Sequence, residues 1–383
     1  MNRYGAFLTA EPGTDLLRPL PPRPPGYARA AQADRHVVRR IGEAGEVIDG
    51  TLFRNCTIIR FDGHDYIFSA RAILTMVVVA ACNAACRFCS NEITFTPSGP
   101  YLTYDERLRR VKDFALLAGV TKIAYTGGEP TLQPQRLYDL MRAMNPGFRR
   151  SRLHTNGSGL FKDVLTADGT TRPLLPALIE AGLTGASVSV AHHDRAANEE
   201  IMRFKRGWAS TPEDALSAVA SHRSDAFTPR LSCVMSHDGL HTVADILRYI
   251  EWGRALGYRN FIFRSCSAIP EEFEKPTAFS SFNNTNYLPI DPICEQLGRL
   301  PFLRRTYRQR KSDSKVDVYQ WDDMTIDVDE SSEEQDPDRK IRRLNVMTNG
   351  IVYTSWIDPL SVLFGEDLAA AEAARRREFG RTG

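Results

Sequence analysis

The chain has 383 residues, 42% of them hydrophobic and 25% charged, with 49 basic side chains against 47 acidic ones for a formal charge of +2. That composition predicts a soluble globular protein, and the near-zero charge excludes one whose main task is to coat nucleic acid or an anionic membrane. No apolar run reaches the roughly 18–20 residues of a membrane span, and Met1-Asn2-Arg3-Tyr4-Gly5 does not open a secretory signal, so a cytoplasmic location is expected.

Residues 1–50 include Pro19, Pro21, Pro22, Pro24 and Pro25, too much proline for helix or sheet, and are expected to form an extended arm. Residues 51–70 read as a small β element, Leu52 to Phe61 and Asp65 to Phe68 joined by a turn at Asp62-Gly63-His64. From Ile73 onward short apolar runs alternate with helical patterns. Strands are expected at Ile73 to Ala80, Lys122 to Thr126, Ser151 to Thr155, Ala186 to Val190, Arg230 to Met235 and Asn260 to Arg264. Helices are expected at Tyr104 to Ala118, Gln135 to Met144, Leu174 to Ala181, Pro212 to Ala220 and Leu240 to Leu256. Such alternation implies a parallel sheet with helices outside it, over residues 71–300.

Residues 301–383 break the pattern. A basic run, Arg304 to Lys311, and an acidic stretch, Asp322 to Asp338, flank the β-type segment Val316 to Trp321; a second, Leu344 to Trp356, turns at Thr348-Asn349-Gly350, and Glu366 to Arg377 reads as a terminal helix. Asp317, Tyr319, Trp321, Asn345, Tyr353 and Trp356 could stack on and hydrogen-bond a sugar or base, or be core.

Seven cysteines is an odd number, and three of them crowd into Cys82-Asn83-Ala84-Ala85-Cys86-Arg87-Phe88-Cys89. This is no disulfide framework. The spacing C-x3-C-x2-C follows the C-terminal end of the first main strand, where ligands of α/β sheets and barrels sit. Thiolates are soft ligands for zinc or for an iron–sulfur cluster, whose cubane leaves a fourth iron open when three cysteines hold it. Zinc would need a fourth ligand such as His64 or Cys266.

With Phe88 before its last cysteine, this segment resembles the signature of the radical S-adenosylmethionine superfamily. The second strand ends in Thr126-Gly127-Gly128-Glu129-Pro130, similar to that family's GGEP motif, and the third in His154-Thr155-Asn156-Gly157, similar to its T-N-G turn. The resemblance covers roughly Leu74 to Ala268 and implies an α/β fold, a partial (β/α)6 TIM-like barrel, here with an N-terminal β element and a C-terminal β-rich extension. It implies a [4Fe–4S] cluster on Cys82, Cys86 and Cys89. It also implies S-adenosylmethionine received by Gly127, Gly128 and Glu129 at its amino group, with Asn156, Ser187 and Ser189 near the ribose and carboxylate. An electron from the cluster would split S-adenosylmethionine into methionine and a 5′-deoxyadenosyl radical, which abstracts a substrate hydrogen. A flavodoxin or ferredoxin-type donor would supply that electron.

For the substrate, the polar set His192, His193 and Asp194, with Asn198 and Arg203, could bind or protonate a small molecule; the competing reading is a helix start capped by Asp194. Arg264 could pair with a carboxylate, and Cys266 or Cys233 could return a hydrogen atom to a substrate radical, although lone cysteines are commonly buried apolar groups. The expected function is radical chemistry on a polar small molecule, sugar- or nucleoside-like, in a specialised biosynthetic pathway. The alternatives are modification of a ribosomally made peptide, of RNA through Arg304 to Lys311, or a non-catalytic zinc-binding protein.

Overall fold

In the computed structural model the residues described are 39–48, 51–61, 64–89, 102, 104–266, 278–311, 314–331, 340–356 and 361–364. The proline-rich stretch before residue 39 and the terminal helix expected at Glu366 to Arg377 lie outside them.

The chain begins with short strands β1 (Arg39–Ile41), β2 (Glu46–Ile48), β3 (Thr51–Phe53) and β4 (Cys56–Phe61). Residues 39–41 and 46–48 are therefore strand rather than extended arm: β1 pairs with β4, and β2 with β3. The expected hairpin forms between β4 and β5 (His64–Val77), in antiparallel register from Phe61 beside His64. It is not a separate element, however. The 14 residues of β5 run without a break from the hairpin into the main sheet, because Ala72, Leu74 and Met76 continue the alternation that Tyr66 and Phe68 begin.

Alternating helices and strands follow: α1 (Glu106–Leu117), β6 (Lys122–Thr126), α2 (Pro134–Met144), β7 (Arg150–Thr155), the small hairpin β8 (Asp163–Leu165) and β9 (Thr171–Pro173), and α3 (Leu174–Glu180). Then come β10 (Gly185–Ser189), α4 (Arg195–Met202), α5 (Glu213–Ser221), β11 (Thr228–Met235), α6 (Val243–Ala255) and β12 (Asn260–Ser265). Helices α1, α4 and α6 start where polar side chains take orphan backbone amides. Asp105 accepts from the Leu108 amide at the head of α1, and Thr242 and Asp245 form a reciprocal box at the head of α6.

Strands β5, β6, β7, β10, β11 and β12 lie side by side and parallel. Their helix-facing side chains, among them Leu74, Ile123, Leu153, Val188, Leu231 and Phe261, join Leu108, Leu137, Leu178, Val219 and Ile246 of the helices in one apolar core. At roughly 25 cal/mol per Å² of apolar surface removed from water, this layer is what holds the fold. The opposite face of the same strands, the inner face, is polar: Thr75, Arg152, His154, Ser187, Arg230 and Arg264 alternate with the core residues.

After α7 (Ala278–Asn286) and α8 (Ile290–Leu297), the C-terminal strands extend both edges of the sheet. The antiparallel meander β13 (Arg304–Lys311), β14 (Ser314–Trp321) and β15 (Met324–Ser331) docks β15 parallel to β12. At the other edge β16 (Ile341–Val346) lies parallel to β5 and folds back through β17 (Val352–Tyr353) and β18 (Val362–Phe364). The basic run and much of the acidic stretch are thus strands. Asp317, with no exposed side chain, draws in Arg310 at 2.7 Å and Arg305 at 3.4 Å. Its neighbour Tyr319 is core, donating to the Cys294 carbonyl at 2.7 Å, and Trp321 packs on Phe302. No helix among the described residues is long and apolar enough to cross a membrane.

Candidate active site

The three clustered cysteines stand on the loop that leaves the C-terminal end of β5. Cys82, Cys86 and Cys89 are each half-buried. Burial pushes the Cys86 thiol well up, and Cys89 and Cys82 push it further, so the three sulfurs feel one another. Burial likewise raises Cys82. Thiols crowded together in this way stay protonated until a cation neutralises them, which is the behaviour of a ligand set awaiting a positively charged cluster. Neither fourth zinc ligand considered above serves: His64 opens β5 while the cysteine loop follows the other end of that 14-residue strand, and the buried Cys266 turns its thiol to the Met235 carbonyl. The donor set fits the implied [4Fe–4S] cluster.

This loop is fastened on two sides. On one, the Gly128 amide donates to Val79 O at 2.7 Å and the Glu129 amide to Ala81 O at 2.9 Å. The approach leaves no room for side chains: a Cβ on Gly127 would stand 2.2 Å from Val79 O, and one on Gly128 2.2 Å from Ala81 O. Both glycines are needed because the two strand ends touch, besides any closeness to a ligand. On the other side, amides of Ala85 and Arg87 donate to carbonyls at the end of α4, from Met202 and Ile201, and Lys205 Nζ donates to the Cys82 carbonyl at 2.8 Å. Phe88 packs with Cys86 and Phe204 against Ala191, Ile201 and Met202, an apolar collar beside the thiols.

Glu129 is buried, and its carboxylate is already engaged. Oε1 accepts from the Thr131 amide at 2.9 Å, the Thr131 hydroxyl at 2.6 Å and the Thr155 hydroxyl at 2.6 Å, while Oε2 accepts from the Asn156 amide at 2.6 Å. Burial raises its pKa against these donors. Its side chain therefore ties the ends of β6 and β7 together, with capacity for a ligand amine left on Oε2. Asn156 is similarly occupied: its Nδ2 donates to Asn83 Oδ1 at 2.8 Å, and its Oδ1 accepts from the Ser158 hydroxyl at 2.6 Å. Asn83, between two of the cysteines, is thereby linked to the third strand's loop. Thr131, Asn83 and Lys205 were not foreseen; the basic cluster Arg203 to Arg206 was the available signal for the last.

Ser187 and Ser189 lie on the inner face, and Ser187 accepts from Arg230 Nε at 2.5 Å. His192 and His193 stack at 4.4 Å, with His192 Nδ1 accepting from the Asp194 amide. His193 Nδ1 is buried without a hydrogen-bond partner, and burial lowers its pKa. Asp194 caps α4, accepting from the Ala197 amide at 2.9 Å, a bond that lowers its pKa. Asn198 accepts from the Ala191 amide, and Arg203 closes α4 in a left-handed conformation. Most of the polar set after the fourth strand thus builds a helix. Arg264 meets Asp329 at 3.4 Å. Cys266 is buried with its thiol pushed up to about 12, and Cys233 faces the helix core, donating to Ala191 O at 3.2 Å. A hydrogen-donor role for Cys233 is therefore at odds with its place.

Comparison with known proteins adds to this geometry. Residues 76–252 match the family model described as Radical SAM superfamily, whose proteins bind a [4Fe–4S] cluster and S-adenosylmethionine and need a reductant. The chain is 30% identical over 169 residues to "Molybdenum cofactor biosynthesis protein 1" of Drosophila melanogaster, 43% of this chain and 27% of that protein. It is 24% identical over 243 residues to a "Probable GTP 3′,8-cyclase" of Pyrococcus horikoshii, 62% of this chain and 69% of that one. With the "PqqA peptide cyclase" of Bradyrhizobium diazoefficiens it shares 25% identity over 182 residues, 47% and 43% of the two chains. The alignments with the first and third of these relatives span less than half of their lengths.

Proposed function

Because the chain belongs to the radical SAM superfamily, we propose that it is an enzyme that reductively cleaves S-adenosylmethionine and abstracts a hydrogen atom from a polar small molecule, sugar- or nucleoside-like, in a specialised biosynthetic pathway. The observation that carries this reading is the fastening of the three-thiol loop to the Gly127-Gly128 edge of β6 through the Gly128 and Glu129 amides. When bound, the cluster supplies the electron that divides S-adenosylmethionine into methionine and the hydrogen-abstracting 5′-deoxyadenosyl radical.

Cys82, Cys86 and Cys89 would hold the cluster, and the Gly127-Gly128 edge with Glu129 Oε2 would receive the methionine amine. Ser189, and Asn156 through its loop, would serve the ribose. Phe88 and Phe204 pack beside Cys86 and form an apolar wall on that side of the thiol loop, where exclusion of solvent protects a reactive intermediate. Lys205 places a cation beside the cluster loop, which favours the reduced, more negative state. His193 and Arg264 remain the polar groups for substrate.

A flavodoxin or ferredoxin-type protein of the cytoplasm would supply the electron. RNA is disfavoured as substrate because Arg305 and Arg310 of the basic run turn to the buried Asp317. Likeness to a protein named as a peptide cyclase favours a second reading, modification of a ribosomally made peptide.

The test is anaerobic reconstitution with iron and sulfide analysis, then reduction with S-adenosylmethionine and chromatography for 5′-deoxyadenosine. About four irons per chain and formation of that product are expected, with Cys86→Ala losing both while keeping its fold. Zinc without iron, or a cluster that never cleaves S-adenosylmethionine, overturns the proposal. Nucleosides and peptides are then compared for acceleration of the cleavage, which separates the two substrate readings.

A further inference from the structure

The inner face of the sheet carries buried polar groups that the chemistry above does not use. Direct neighbours across five strands form one row: Asn345 of β16 beside Thr75 of β5, Thr75 beside Ala124 of β6, Ala124 beside Arg152 of β7, and Arg152 beside Gly185 of β10. Lateral partners in register point to the same face, so the row reads long amide, two small side chains, guanidinium, and no side chain. Arg152 lies over Gly185, whose missing Cβ would stand 3.5 Å from the guanidinium carbon.

Both long members are unsatisfied. Asn345 is fully buried, and neither its Oδ1 nor its Nδ2 has a hydrogen-bond partner; Arg152 Nη1 is buried and likewise has none. Leaving such groups unpaired is destabilising, more so for a charge, and buried polar groups in native proteins are rarely orphaned without a role. Across three strand spacings, roughly 14 Å of backbone, only Thr75 and Ala124 stand between them.

The charge beside this row is unbalanced. Arg230 follows on the same face, its guanidinium 3.8 Å from Asp327, too far for a hydrogen bond. Burial pushes the Asp327 carboxyl upward, toward its neutral form, and lowers the pKa of Arg152 and of Arg230, which repel each other. Two guanidiniums in a partly dry site with a weakened counter-charge call for an anion, and the planar fork of arginine suits the paired oxygens of carboxylate or phosphate. At the β16 end the same face is apolar, with Val77, Met347 and Tyr353 buried together and Trp356 packed on them.

We propose that Arg152, Arg230 and Asn345 form a substrate subsite on the inner face that holds a small ring-bearing molecule by an oxyanion, a carboxylate or a phosphate ester. The arginines take the oxyanion, the Asn345 amide takes a donor–acceptor edge of the ring system, and the Val77, Met347 and Tyr353 wall covers its apolar face. This deepens the proposed function and rests on it.

The test uses reconstituted protein saturated with S-adenosylmethionine, titrated calorimetrically with benzoate, phenyl phosphate and neutral benzyl alcohol, while 5′-deoxyadenosine formation is followed in the same preparation. At least one of the two anions should bind and the alcohol should not; which anion binds more tightly assigns carboxylate or phosphate. Arg152→Gln should weaken that binding about 10- to 100-fold, the loss of one charge-assisted hydrogen bond, with unchanged iron content. If that variant does not fold, Arg230→Lys, which keeps the charge and loses the fork, should weaken it in the same sense. Asn345→Leu should raise the melting temperature of the ligand-free protein, since it removes an unsatisfied buried amide. Equal binding to wild type and arginine variants, or no anion binding, overturns the subsite. If 5′-deoxyadenosine still forms in that case, the proposed function stands without it.

Discussion

Replacing Gly128 by alanine tests whether the cysteine loop depends on the close approach of two strand ends. The added Cβ would lie 2.2 Å from Ala81 O and 2.4 Å from Ala80 O, both backbone atoms that cannot swing aside. Restoring ordinary contact requires the segments to part by roughly 1 Å. That movement stretches the Gly128–Val79 bond from 2.7 Å and the Glu129–Ala81 bond from 2.9 Å beyond hydrogen-bonding range. Two lost hydrogen bonds at about 1 kcal/mol each and overpacking of about 1–3 kcal/mol give a destabilisation of about 3–5 kcal/mol. Urea denaturation of the apo protein reads this as a lower midpoint, and iron analysis after reconstitution should find the cluster depleted. Gly42→Ala is the control, since nothing lies within 4 Å of a Cβ there, and it should stay within about 0.5 kcal/mol of wild type. A Gly128→Ala protein with an unchanged midpoint and full iron would falsify the argument.

Thr155→Val removes a hydroxyl that donates to Glu129 and accepts from the Gly157 amide; a loss of about 3 kcal/mol is expected, and an unshifted urea midpoint would show that Glu129 does not tie the loops. Asp194→Ala should lower the urea midpoint through loss of the α4 cap while 5′-deoxyadenosine formation continues; loss of activity at an unchanged midpoint would instead point to acid–base work. His154, enclosed on the inner face, has a pKa pushed well below the usual value by burial and then by Arg264, Arg230 and Arg152. The unfolded chain takes up a proton there below about pH 6.5 and the folded one does not, so stability should fall as pH drops through that value, by up to about 1.4 kcal/mol per unit. Urea midpoints from pH 7.5 to 5 should fall less steeply for His154→Gln, and parallel slopes would contradict this.

Much of the α/β frame was legible because the strands are short, apolar and separated by helices of clear period. Lys122 to Thr126 coincides with β6, and Asp194 was already readable as a helix cap. The thiols, the glycine pair and the T-N-G turn are contiguous motifs, so their chemistry is carried by neighbouring residues and survives without coordinates. Other features were decided by partners remote in the chain. Nothing local told that Glu129 would be consumed by Thr155 and Asn156, or that Asn83 would reach Asn156. The strands β13 and β15 were obscured because charges on them, which look like solvated loop, meet partners in the folded chain, Arg310 with Asp317 and Asp291 and Asp329 with Arg264.

The same holds for the inner face. Arginines at alternate positions of a strand look alike whether they meet water or a ligand, since period two assigns a face but not what lies opposite. Only the register that sets Arg152 beside Ala124 and Gly185, and Asn345 beside Thr75, turns these scattered residues into one row. Sequence motifs determined which chemistry the chain carries; tertiary register decided which side chains surround it, because hydrogen bonds and charges act across a few ångströms of space regardless of separation along the chain.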